Sequence, residues 1–77
     1  MEARFNLGDV VVALSADYLV QQTCSSSVFE NVPRGMVELK ALIEANQQNR
    51  DIRWYRMGEN QDYLHISIPT ELIVWSE

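Results

Sequence analysis

The segment Arg50-Asp51-Ile52-Arg53-Trp54-Tyr55-Arg56 packs three guanidinium groups and two aromatic rings into seven consecutive positions. In an extended chain, Ile52, Trp54 and Arg56 share one face, and Arg53, Tyr55 and Met57 share the other. Arginine beside an exposed aromatic ring can stack on nucleic-acid bases and pair with phosphates. The same residue types are enriched in protein-binding hot spots. A plainer arrangement buries Trp54 in the core and pairs the arginines with Asp51, Glu59 or Glu71. Arg50, Arg53, Trp54, Tyr55 and Arg56 are therefore the candidate partner-binding residues, with that structural arrangement as the alternative.

Other chemistries find less support. Cys24 and His65 are the single cysteine and the single histidine. A catalytic thiolate–imidazole pair needs hydrogen-bond contact, an orienting third group and an oxyanion site. Nothing in the sequence brings these two together. Cys24 stands beside Ser25-Ser26-Ser27 and reads as a loop residue. His65 lies opposite Leu64, Ile66 and Ile68 and reads as a surface residue. The carboxylates are scattered: Glu38 and Glu44 flank Leu39 to Ile43, and Glu59 and Asp62 share one turn. A working acid–base pair needs a walled cleft, so these read as solvated charges. One histidine and one cysteine cannot make a four-ligand zinc site. Gly8, Gly35 and Gly58 are too far apart to form a phosphate-cradling loop. No metal and no cofactor is expected, and the chain is not expected to be an enzyme.

The elements that would position these residues follow from periodicity. Asp9 to Leu14 follows a glycine and is rich in β-branched residues, which predicts a strand. Its apolar residues do not alternate, which predicts cover on both faces. Tyr18 to Thr23 is a second short strand. Thr23 to Gly35 reads as a long polar loop. Met36 to Asn46 satisfies two patterns. Helix formers dominate it and Met36, Leu39 and Ile43 fall at helical spacing, yet Val37, Leu39, Ala41 and Ile43 also alternate as in a strand. Ile52 to Met57 is β-prone, Gly58 to Asp62 is a turn, and Tyr63 to Ile68 alternates cleanly. Pro69 ends that strand because it cannot donate to a ladder. Thr70 to Leu72 is a tight turn, and Ile73 to Trp75 a short last strand. Trp75 is expected to pack on the body of the domain or on a partner.

Seventy-seven residues make one domain, 1–77. A chain of that size buries a thin core. With no intramolecular disulfide possible, good packing, a homo-oligomer or an obligate partner must supply what the core lacks. The longest wholly apolar run is Val10 to Leu14, far short of the ~20 residues that cross a bilayer. No apolar leader follows Met1. A lone thiol without an export signal points to a reducing, cytoplasmic setting.

The net charge is −5, which argues against generic binding to nucleic acid or anionic membranes. The charge is uneven. Residues 49–57 carry a surplus of two positive charges, whereas 58–77 hold four acids and no base.

Two anchors carry a resemblance at the level of the fold. Phe5-Asn6-Leu7-Gly8-Asp9-Val10-Val11 opens the chain, and Ile68-Pro69-Thr70-Glu71-Leu72-Ile73 closes it. Between them, Arg34-Gly35 ends the long loop. In this order the chain resembles small SH3-like β-barrel domains. The resemblance implies a mainly β fold, a barrel of about five strands with a long first loop. In that frame Gly8 launches the first strand. If Met36 to Asn46 is instead helical, the fold is α+β, ββαββ with a helix near 36–49. Fold resemblance does not carry function. The leading expectation is a non-enzymatic protein–protein interaction module, a small subunit or regulator of a larger assembly. The alternatives are an acidic inhibitor of a nucleic-acid-binding protein, of the kind that phage or host regulators provide, and a nucleic-acid-binding SH3-like domain acting through Arg50, Arg53 and Arg56.

Overall fold

The computed structural model describes all 77 residues. The fold is mainly β, with seven strands in two antiparallel sheets and one α-helix. The strands are β1 (Glu2–Leu7), β2 (Val10–Ser15), β3 (Leu19–Gln22), β4 (Ser26–Pro33), β5 (Arg53–Met57), β6 (Tyr63–Pro69) and β7 (Val74–Ser76). The helix, α1, is Leu39–Gln48. One sheet has the order β2-β1-β7 and the other β3-β4-β6-β5. No helix is long and apolar enough to cross a membrane.

The two strands beyond the expected five are β1 and β4. In β1, Ala3, Phe5 and Leu7 are buried while Glu2, Arg4 and Asn6 are exposed. That is the alternation of a half-buried strand. Gly8 does not launch a first strand, as expected, but joins two. Leu7 and Val10 are register partners, so Gly8-Asp9 is a two-residue hairpin loop. Gly8 adopts φ 62° and Asp9 does not have a positive φ, the glycine-first pattern of a tight hairpin turn.

The expected long loop at 23–35 is instead mostly β4, which lies between β3 and β6. Its core residues are Phe29 and Val32, three positions apart. A regular strand cannot turn both inward, because its faces alternate with a period of two. A β-bulge resolves the conflict: the register with β6 shifts between Phe29 and Val32, and Asn31 takes φ 58°. The extra residue resets the phase, so that Phe29 meets Ile66 and Val32 meets Leu64. Ser27, the one buried polar residue, is satisfied by a 2.8 Å hydrogen bond between its hydroxyl and Thr70 Oγ1. The Thr70 hydroxyl in turn donates to the Thr23 carbonyl, 2.8 Å away.

The expectation of cover on both faces of β2 is also corrected. Val12 and Leu14 are buried, but Val10, Val11 and Ala13 are exposed. The continuous apolar run reflects an uncovered outer face rather than a second packing layer.

The ambiguous segment resolves as helix. Ala41, Leu42 and Ala45 form its buried stripe, the i, i+1, i+4 set that packs one helical face. The Ala45 carbonyl accepts from the Asn49 N–H at 2.8 Å, which ends the helix. Asn46 Nδ2 donates to the Ile52 carbonyl at 2.6 Å, tying the last turn of α1 to the start of β5.

Both sheets and the helix contribute to a single core of 16 residues. Phe5 of the first sheet and Phe29 of the second lie with ring centroids 6.2 Å apart and planes tilted by 32°. β6 ends at Pro69, a 3₁₀ turn spans Thr70–Leu72, and β7 returns to pair with β1, Glu2 opposite Ser76. Trp75 pairs with Ala3 and packs against the core.

Candidate binding face

Strand β5 divides the arginine–aromatic segment between two environments. Ile52 is buried and Trp54 is half-buried against the core. Tyr55, on the opposite face, is 53% exposed, and Arg53 and Arg56 are exposed. Arg50 stands apart from the sheet, in the turn that the Ile52 N–H closes on the Asn49 carbonyl at 3.1 Å. The five candidate residues thus do not form one patch. Trp54 is a packing residue, Arg50 belongs to a turn, and Arg53 with Tyr55 lies on the outer face of the four-stranded sheet.

That outer face has an order the sequence did not announce. Tyr55 and His65 are register partners on β5 and β6. Their rings stack, centroids 4.3 Å apart and planes 14° from parallel. His65 Nδ1 lies 3.1 Å from Glu30 Oε1 on β4. An ionised carboxylate only accepts, so Nδ1 carries the proton and donates. Tyr55, His65 and Glu30 therefore form a row across three strands in which the imidazole is held from both sides. The bulge at Asn31 leaves Glu30 on this face while Val32 returns to the core. The neighbouring row is Arg53, Ser67 and Val28, again register partners.

The arginines do not find the carboxylates that the plainer arrangement assigned to them. The carboxylate contacts of the chain are the Arg4–Glu2 ion pair, 3.8 Å apart, and the hydrogen bond between His65 and Glu30. Arg50, Arg53 and Arg56 belong to neither. Cys24 sits exposed in the turn between β3 and β4. No three His, Cys, Asp or Glu side chains gather to hold a metal ion.

Two of the concavities hold an arginine. The larger, about 730 Å³, opens at the start of α1 and is lined in part by Arg34, Glu38, Lys40, Asp62 and Tyr63. Its two cations are matched by two carboxylates, which leaves no net sign to attract a charged partner. The smaller adjoins the Arg53 row and contains Ser25, Ser26, Asp51, Arg53, Ser67 and Pro69. Glu30, Ser67 and the serines of the β3–β4 turn were not legible as site residues, because the segment holding most of them reads as loop.

Comparison of the chain with protein-family models, with curated proteins and with solved structures finds no match.

Proposed function

We propose that the chain is a non-enzymatic protein-interaction module, a small subunit or regulator of a larger assembly. Its contact surface is the outer face of the four-stranded sheet, centred on Tyr55. The observation that carries this reading is the stack of Tyr55 on a histidine fixed by Glu30, with an unpaired arginine in the next row. An aromatic ring pre-ordered in this way loses little conformational freedom when a partner covers it, which is the property of a binding anchor. β5 also forms an open sheet edge, since it pairs only with β6. Such an edge can accept a partner's strand through main-chain hydrogen bonds. The pairing of β1 with β7 and the Pro69 corner with its 3₁₀ turn support the SH3-like reading of the scaffold.

The test is affinity capture of the tagged protein's complexes from its source lysate, nuclease-treated and untreated, with the wild type and Tyr55→Ala side by side. Partner protein is expected to survive nuclease. The Tyr55→Ala variant is expected to lose about 2 kcal/mol of binding, near 30-fold, while remaining folded. Equal capture by the two proteins would overturn the assignment of this face. Loss of all captured material on nuclease treatment would replace a protein partner with nucleic acid.

A further inference from the structure

The two sheets end in four edge strands, β2 and β7 on one and β3 and β5 on the other. An open edge shows unpaired N–H and C=O groups, and folded chains blunt it with charge, proline, a bulge or shortness. Three of these edges are blunted. β7 has three residues. β3 has four, with a shift of register between Leu19 and Gln21. β5 carries Arg53 and Arg56, so a second β5 laid against it brings like charges together. β2 has none of these protections. It runs for six residues, Val10 to Ser15, without charge or proline, and its register with β1 is unbroken.

The free groups of that edge follow from the hairpin. Leu7 and Val10 flank its two-residue loop and exchange the closing hydrogen bonds. The ladder alternates from there. Val12 and Leu14 bond toward β1, and the N–H and C=O of Val11 and Ala13 point away from it. No backbone hydrogen bond outside the helices and ladders reaches Val11 or Ala13. Beside the edge lies an apolar groove of about 320 Å³, with Val10, Val11, Met36, Val37 and Ala41 in its walls and Glu38 as its one ionisable group.

We propose that β2 pairs antiparallel with β2 of a second copy of this chain, which joins the two three-stranded sheets into one. The strand is its own complement. A two-fold axis through Val12 sets Val11 of each copy against Ala13 of the other, so the free groups of both are satisfied. It also sets Val10 against Leu14. Charge selects a second copy at this edge. Chains of net charge −5 repel one another through their acids, and β2 is the one long edge over which they can meet without charge. In this register Asp9 falls opposite Ser15, so no acid faces an acid across the ladder. An unlike partner is selected by features it alone satisfies, and β2 offers no charge for it to read, whereas β5 does. The pairing uses the sheet that does not carry Tyr55 and does not rest on the contact face proposed above. Each copy keeps its own fold when the pair separates, because β2 retains its bonds to β1.

The test is sedimentation velocity from about 10 μM to about 1 mM, a span that covers weak pairing, together with amide hydrogen exchange at both ends of the range. A monomer is expected to give way to a dimer. Exchange at the Val11 and Ala13 amides is expected to slow by about tenfold as the dimer forms. In a mixture of labelled and unlabelled chains, magnetisation transfer is expected between Val11 of one copy and Ala13 of the other. Ala13→Pro removes an outward N–H and no bond to β1, and is expected to stay monomeric throughout the range with its spectrum otherwise retained. If that variant fails to fold, the exchange of the wild-type amides decides. A monomer at every concentration overturns the proposal, as does a dimer in which Val11 and Ala13 exchange as in the monomer. Protection at β3, β5 or β7 in their place overturns the choice of edge. Dimerisation of folded Ala13→Pro with wild-type affinity overturns the backbone pairing, and species larger than a dimer overturn the closed two-fold.

Discussion

The two sheets share one core but turn different surfaces to water. The outer face of β2-β1-β7 presents Val11, 69% exposed, opposite Asn6, and Val74, 68% exposed, across Arg4 from the exposed Ala13. Its central strand adds Glu2, Arg4 and Asn6, of which Arg4 and Glu2 pair with each other at 3.8 Å. The outer face of β3-β4-β6-β5 presents Tyr55, His65, Glu30, Arg53 and Ser67. There the aromatic ring and the carboxylate lock each other through an imidazole, and the arginine is left without an ion partner. Exposed valines attract without direction, since burial of apolar area carries no preferred geometry. A ring and a carboxylate held to one imidazole have a set position and orientation. The difference separates a face without fixed side-chain contacts between its valines from one whose aromatic ring is held in place.

Several substitutions can break or sharpen that contrast. The largest effect is expected inside rather than outside. Trp54→Ala, on the core side of β5, should lower the unfolding free energy by about 2–3 kcal/mol in urea titration, because it empties a packed site. A negligible change would mean that Trp54 faces a partner and that the two sides of β5 are not distinct. Glu30→Gln comes next. Replacing the charge-assisted bond to His65 with a neutral one should cost about 1 kcal/mol of stability. The histidine's nitrogen-15 shifts should report a mixture of tautomers in place of the single Nδ1–H form. Unchanged shifts would remove Glu30 from the row. The smallest effect is expected at Val11→Lys on the other sheet, within about 0.5 kcal/mol in stability and without effect on partner capture. Lost capture in that variant would move the contact surface to the apolar face.

The sequence disclosed some of this and hid the rest for reasons that can be named. Tyr63 to Ile68 was legible because Leu64, Ile66 and Ile68 alternate without interruption and all three are buried. The Pro69 corner was legible because proline acts locally. The helix was half-legible, since Leu39 and Ile43 fit two periods, and the face it buries is the one carrying Ala41, Leu42 and Ala45. β4 was hidden because its apolar pair, Phe29 and Val32, is spaced for a bulge, and periodicity cannot anticipate a phase change. With β4 went Glu30, and with Glu30 the row that orders Tyr55. The split of the arginine–aromatic segment into an inner Trp54 and an outer Tyr55 follows from strand parity and was readable. The absence of carboxylates from Arg53 is a tertiary fact, and no local pattern encodes it.

The pairing of β7 with β1 has a consequence for the order in which the protein takes shape. β1 can join β2 as soon as the Gly8-Asp9 turn is made, because the two strands are adjacent in the chain. Its other side must wait for residues 74–76, the partners at greatest distance in sequence. Contacts that close so long a loop form late. Trp75 therefore settles beside Ala3 only after the β1–β2 hairpin has formed.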